Sequence, residues 1–243
     1  MSSVLVVMEH REGTWNRLSW EALAAGQELS MEIGQTLSAA IVGSSVAPLM
    51  AELAGKAVPT LYCVQHALLE RYTSDGFVLA LQQLIQKVSP SYVVLPHTYQ
   101  VRDFAPGLAV AFEETLIADV IGFKFSEGRP VFVRQLLQGK LNADYAHTGA
   151  GPCFVSVQAG AFRPGTLDTG SAQTEMFTPE LDALQIRTKP EAPFREAAQT
   201  VDLGSANIIV SVGRGIKDKG NLPIVEQLAS ALGAEMAATK PNA

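Results

Sequence analysis

Four times in the first hundred residues, a short apolar run rich in β-branched residues gives way to a longer stretch with helical spacing. This alternation constrains the fold more than any other feature. Val4-Leu5-Val6-Val7-Met8 is apolar without interruption, as expected of a strand covered on both faces. Similar runs follow at 39–42, 60–64 and 92–95. Between them, Leu18, Ala22, Ala25 and Leu29 fall at helical spacing, with Ser19 as a cap. Ser44 or Ser45 opens a second helix through Leu49, Leu53 and Ala54. Ser74 or Asp75 caps a third, through Val78, Leu81, Leu84, Ile85 and Val88. Asp103 stands near the start of a fourth, with Pro106 close enough to its first turn to be tolerated. Strands separated by helices of this length predict right-handed crossovers and a parallel sheet. Ligands on such sheets gather beyond the carboxyl ends of the strands.

The pattern changes after Asp119. Runs at 120–125, 131–136, 140–145 and 153–157 are split by Glu-Gly, Gln-Gly and Gly-Ala-Gly, which predicts antiparallel strands. Residues 158–200 are irregular, with Pro164, Pro179, Pro190 and Pro193, and read as a long excursion and linker holding one extended segment at 184–187. Residues 206–212 read as a buried strand, Gly213-Arg214-Gly215 as a turn, 222–232 as an amphipathic helix and 234–237 as the start of a further strand. One βα unit cannot bury its own sheet faces, so a second domain is expected to open here without being finished. The predicted class is α/β: a parallel sheet flanked by helices with an antiparallel add-on over 1–197, then the start of a second α/β domain over 198–243.

Composition excludes several classes. With 47% hydrophobic and 17% charged residues the chain is not disordered. Its net charge of -6 argues against a nucleic-acid partner, because phosphate neutralisation needs a basic excess. Cys63 and Cys153 sit in apolar runs, too few for a disulfide framework and without metal-ligand spacing. The N-terminus has no basic segment ahead of its apolar run, unlike a secretory signal. Residues 33–51 carry no charge, but Gly34, Gln35, Ser38, Gly43, Ser44, Ser45 and Pro48 do not suit a membrane-spanning helix. A soluble, cytoplasmic protein without a transmembrane segment is expected.

Catalytic patterns are missing. His10, His66, His97 and His147 stand in no nucleophile or zinc context, and neither a P-loop nor the dinucleotide-binding glycine fingerprint occurs. No catalytic and no metal-ligating residue is assigned. Glu113-Glu114, on adjacent positions of a helix, point to different faces and cannot work as a paired acid and base. His97 and Arg102 follow the fourth strand, where an anion could sit; alternatively Asp103 caps the helix and Arg102 makes a structural ion pair. Arg134 and Lys140 flank a Gln-Gly turn and read as a solvated hairpin. The segment IIVSVGRGIKDKGN says most: a strand, a Gly-Arg-Gly turn and a helix. Its glycines admit a ligand close to the backbone, Arg214 supplies a planar cation, and a neighbouring helix N-terminus favours anions. Lys217 and Lys219 add charge, and phosphate binding is the natural reading.

These residues together resemble the alpha subunits of electron transfer flavoproteins, the group that includes FixB-type proteins. The resemblance runs from VLVVMEHREGTWNRLSWEALAAGQEL through VVLPHT, VRDFAPGLA, DV and GAF to VSVGRGIKDKGNLPIVEQLASALGAEMAATKP, essentially the whole chain. It implies an FAD-binding second domain, in which Gly213, Arg214 and Gly215 meet the FAD phosphate region. Thr239 and Lys240 match a family Ser-Arg pair that also approaches FAD, and lysine there keeps the charge but loses the fork. Other departures are Val101 for Gly, Gly107 for Arg, and Gln158-Ala159 for Arg-Pro. Further family FAD-site segments, QTG and SGAIQH, are not found, which suggests a truncated member or a fragment.

The resemblance further implies an electron transfer flavoprotein beta subunit as partner. Dehydrogenases such as those acting on acyl-CoA would donate electrons, and a quinone-linked oxidoreductase would accept them. Two alternatives remain at this level: a scaffold subunit that does not retain FAD alone, and an unrelated nucleotide-binding domain using His97 and Arg102.

Overall fold

The uninterrupted apolar run near the N-terminus is a central strand. In the computed structural model, which describes residues 3–191, 203 and 206–238, β1 (Ser3–Met8) is buried at every position. Val4, Val6 and Met8 enter the core on one face of the sheet, Leu5 and Val7 the core on the other. That is why the sequence shows no polar alternation there. Each such aliphatic side chain contributes about 1.5–3 kcal/mol by burial.

A small hairpin, β2 (His10–Arg11) and β3 (Thr14–Trp15), turns at Gly13 with φ 77°. The chain continues as α1 (Arg17–Glu32), β4 (Thr36–Gly43), α2 (Ala47–Ala54), β5 (Thr60–Gln65), α3 (Ser74–Val88), β6 (Tyr92–Pro96) and α4 (Tyr99–Val110). Then come β7 (Leu116–Ser126), β8 (Arg129–Leu136), β9 (Leu141–Ala146), β10 (Cys153–Val157) and β11 (Gln173–Phe177). One nine-stranded sheet results, in the order β11-β5-β4-β1-β6-β10-β7-β8-β9. Leu23 and Leu29 of α1 and Leu49 and Leu53 of α2 cover one face, while Leu81 and Leu84 of α3 and Phe104 and Leu108 of α4 cover the other. The chain steps outward from β1 through β4 to β5 under one helical layer and returns to β6 under the opposite layer. Right-handed crossovers require this arrangement.

The antiparallel extension consists of β8 and β9 added to β7. Two strand expectations are corrected. β10 is not antiparallel: it runs parallel between β6 and β7, with Cys153 opposite Tyr92 and Phe154 opposite Leu116, and is buried throughout. Residues 147–152 carry the chain back to the amino end of the sheet, so Gly-Ala-Gly is part of a return connection, not a hairpin turn. Nor are 158–200 all linker. β11 adds to the sheet edge parallel to β5, whereas 184–187 holds no strand and Gln185 N–H closes a turn on Asp182 O at 3.0 Å.

The helix starts also shift. Asn16, not Ser19, caps α1 by accepting Leu18 N–H at 3.0 Å, while the Ser19 hydroxyl bonds the backbone of Glu9. α2 begins at Ala47, after both serines, and Thr98 caps α4. Asp103 and Pro106 therefore lie inside α4 instead of at its start. Asp75 lies in the first turn of α3 but reaches across the chain, accepting Arg187 N–H at 2.6 Å and Thr188 N–H at 3.1 Å. The uncharged stretch 33–51 resolves into a turn at Gly34, β4 and the start of α2. Among the described residues no helix is long and apolar enough to cross a membrane.

Contacts divide the chain into two units, 1–190 and 191–243. In the second, β12 (Ile209–Val212), α5 (Leu222–Leu232) and β13 (Glu235–Ala238) form a β-α-β arrangement with parallel strands. α5 ends at Gly233, whose φ of 60° supplies the left-handed cap. The strand is shorter than expected and not buried: its residues alternate between exposed and half-buried. Among the described residues of this unit Ala229 is buried, whereas Ile209, Ile224, Leu228 and Leu232 are exposed.

Candidate cofactor site

β12 runs out into Gly213, which keeps an extended backbone (φ -121°, ψ -173°). A single 3-10 turn, Arg214–Ile216, follows, and Lys217 then adopts φ 62°. A second 3-10 turn, Lys219–Asn221, is capped by Asp218, whose carboxylate accepts Gly220 N–H at 2.7 Å. Only then does α5 begin, with Pro223 in its first turn. The expectation of a Gly-Arg-Gly turn leading straight into a helix is thus corrected: two tight turns separate Arg214 from the α5 N-terminus.

What remains is an exposed, cationic strand end. A Cβ added to Gly215 would meet no atom within 4 Å, so its backbone faces open space. Arg214, Lys217 and Lys219 are exposed, and among the described residues none of them forms an ion pair. Asp218, the nearest acid in sequence, is occupied by its local cap. Val212 lies opposite Ala238, so the Arg214 turn leaves the parallel pair beside the point where β13 ends. Thr239 and Lys240 follow Ala238 in sequence and lie outside the described residues. An unneutralised arginine fork beside open glycine backbone, at the carboxyl end of parallel strands, fits a phosphate-bearing cofactor.

The first unit does not assemble an anion site from His97 and Arg102. His97 turns inward: Nδ1 is 2.9 Å from Ser156 Oγ and Nε2 is 3.8 Å from Asp119 Oδ1. Burial lowers its pKa; Asp119 opposes this, while Arg102 and Arg134 push the same way as burial. Arg102 instead lies over the Tyr99 ring at 5.6 Å. Asp103 accepts the Tyr72 hydroxyl at 2.6 Å, which, after burial, holds the Tyr72 phenol well above its ordinary pKa. Among the described residues, Arg102 and Asp103 therefore form neither a cap nor an ion pair.

Arg134 corrects the solvated-hairpin reading in part. The turn after β8 is open, with Leu137, Gln138 and Gly139 all at positive φ. Arg134 itself is half-buried, and its Nε is buried without a hydrogen-bond partner among the described residues. Glu113 and Glu114 lie beyond the end of α4, not on it, with Glu113 at φ 58°. Glu114 finds His147 at 2.9 Å, a pairing that residues thirty-three apart could not announce in sequence. Cys63 and Cys153 are buried free thiols, and burial pushes Cys153 up to about 12. Among the described residues no group of three or more His, Cys, Asp or Glu could hold a metal ion.

Two family models match the chain: the electron transfer flavoprotein domain over residues 4–183 and the electron transfer flavoprotein FAD-binding domain over residues 202–243. The second contains the Gly213-Arg214-Gly215 turn together with Thr239 and Lys240. Among curated proteins, the chain is 28% identical to electron transfer flavoprotein subunit alpha of Bacillus subtilis, over 98% of this chain and 72% of that one. Protein FixB of Clostridium saccharobutylicum is 27% identical, over 98% and 71%. A lactate dehydrogenase (NAD(+),ferredoxin) subunit, LctC, of Acetobacterium woodii is 25% identical, over 98% and 57%. With both family models matched in order along it, the chain belongs to the electron transfer flavoprotein family, as a member of its alpha-subunit type.

Proposed function

We propose that this chain works as the alpha subunit of a heterodimeric electron carrier, paired with an electron transfer flavoprotein beta subunit and holding FAD in its second unit. The carrying observation is the free Arg214 at the glycine-lined end of β12, inside the stretch that matches the family's FAD-binding domain. Gly213 and Gly215 would let the backbone come close to the cofactor, and Arg214 would offer its two-pronged donor to a phosphate. Thr239 and Lys240, which follow β13 in sequence, would supply a second contact. When bound, FAD supplies the redox chemistry; the protein supplies binding, orientation and local field. The domain division we favour puts the scaffold in 1–197 and the cofactor unit in 198–243, and the location we favour is cytoplasmic.

Flavoprotein dehydrogenases, acyl-CoA dehydrogenases among them, would be the donors and a quinone-linked oxidoreductase the acceptor. One relative is named as a subunit of a lactate dehydrogenase and another as an acryloyl-CoA reductase electron transfer subunit, so the redox enzyme named with the carrier differs among relatives. The match to the FAD-binding domain favours the carrier over a flavin-free scaffold. Anaerobic mixing of the co-purified complex with an acyl-CoA dehydrogenase and its substrate tests the reading. Bleaching of bound flavin is expected. Bound flavin that no flavoprotein dehydrogenase bleaches would overturn the donor assignment.

A further inference from the structure

The turn that carries Arg214 is held in a conformation that its own residues do not favour. Lys217 adopts φ 62° and ψ -49°, and Asp218 N–H reaches back across it to Ile216 O at 2.7 Å. That is a γ-turn of the rare, strained hand. Glycine takes positive φ readily, yet Gly213, Gly215 and Gly220 do not supply it here. Among the described residues of the second unit, Lys217 is the one side-chain-bearing residue at positive φ. Such a conformation persists where neighbouring contacts over-determine it.

Asn221 supplies that contact. It stands at the N-cap of α5, where an asparagine ordinarily accepts an amide of the first helical turn, but its side chain makes no cap bond. Its Nδ2 turns back instead and donates to Ile216 O at 3.0 Å. The same carbonyl therefore takes two donors, Asp218 N–H and Asn221 Nδ2. Asn221 N–H is itself fixed on Asp218 O at 3.1 Å. On the other side of the γ-turn, Lys217 N–H bonds Arg214 O at 3.2 Å and Ile216 N–H bonds Gly213 O at 3.1 Å. Arg214 is thus bonded directly to the strained residue, and the carbonyl ahead of that residue directly to Asn221.

We propose that Asn221 is a positioning residue for the cofactor site, a role that rests on Arg214 meeting the FAD phosphate. By holding Ile216 O it keeps Lys217 in its γ-turn, and so keeps the Arg214 turn closed, without touching the cofactor itself. A binding residue carried on an exposed turn needs support of this kind to hold one geometry.

Asn221→Ser tests the role, because serine remains a good N-cap residue and adds no charge but lacks the amide that reaches Ile216 O. The FAD dissociation constant is measured for the chain co-purified with its beta subunit and stripped of flavin. Asn221→Ser is introduced into the wild type, into Arg214→Ala and into Lys217→Gly, and each product is compared with its own parent. In the wild type it is expected to weaken FAD binding about threefold to tenfold, the worth of one hydrogen bond. In Arg214→Ala the loss is expected to shrink below about twofold, because no arginine is left to position. In Lys217→Gly it is also expected to stay below about twofold, because glycine holds positive φ unaided. A general loss of helix stability would cost the same in every background. No loss in the wild type, or an undiminished loss in either other background, would overturn the proposal while leaving Arg214 as a contact. A parent complex that takes up no FAD, or an Arg214→Ala complex that binds it as tightly as the wild type, would instead bring down the reading beneath it and the proposal with it.

Discussion

Gly149 is glycine because of a side chain thirty-five positions earlier. Its Cβ would occupy the space of the Glu114 carboxylate, so Gly149→Ala must displace either the connection or the acid. A loss of about 1–3 kcal/mol is expected by urea denaturation. Gly122→Ala, where a Cβ meets nothing within 4 Å, is expected to stay within about 0.5 kcal/mol. Equal losses would show that the carboxylate seat does not decide the residue at 149. The same pair sets a pH dependence. Glu114 is lowered from 4.5 in the folded state, so its contribution is complete above that value and lost as pH falls through the folded pKa. Glu114→Gln is expected to lower stability at pH 7 and to flatten the decline in acid. An acid limb identical to the wild type would contradict the pairing. None of this was legible locally, because Gly-Ala-Gly looks the same in a turn as around a buried acid.

At the scale of elements, legibility followed burial. The central strands were plain because two covered faces demand continuous apolar runs, as in Val4-Leu5-Val6-Val7. β11 was hidden because it is an edge strand in a polar stretch, with most of its residues exposed. Tertiary bonds hold the chain that follows it: Gln83 and Glu180 exchange two hydrogen bonds of 2.8 Å, and Asp75 takes the amides of Arg187 and Thr188. Partial burial works against the Asp75 charge, but those amides prevail and lower its pKa. Asp75→Ala is expected to expose the amides of Arg187 and Thr188 to hydrogen exchange while β1 keeps its protection. Unchanged protection at 187 and 188 would contradict the tether. Helix starts were misplaced for a related reason. Ser19 and Asp103 looked like caps, but Ser19 bonds Glu9 and Asp103 bonds Tyr72, contacts that sequence spacing does not reveal.

For the whole molecule, the parallel sheet and its extension followed from the spacing of strands and helices, while the cofactor came from family resemblance and the phosphate reading from one arginine between two glycines. The scaffold and the cofactor site are assigned to different parts of the chain, so residues 1–197 expressed alone are expected to fold cooperatively and bind no flavin or adenine nucleotide. Nucleotide binding by that fragment would revive a site near His97. The most direct test of the account is the FAD affinity of the full chain co-purified with its beta subunit, compared between wild type and Arg214→Ala. The wild-type complex is expected to carry FAD, and the variant to bind it about tenfold to a hundredfold more weakly, the worth of charge-assisted hydrogen bonds to a phosphate. Arg214→Lys should fall between them, having the charge without the fork. A wild-type complex that takes up no flavin, or an Arg214→Ala complex that binds it equally well, would contradict the account.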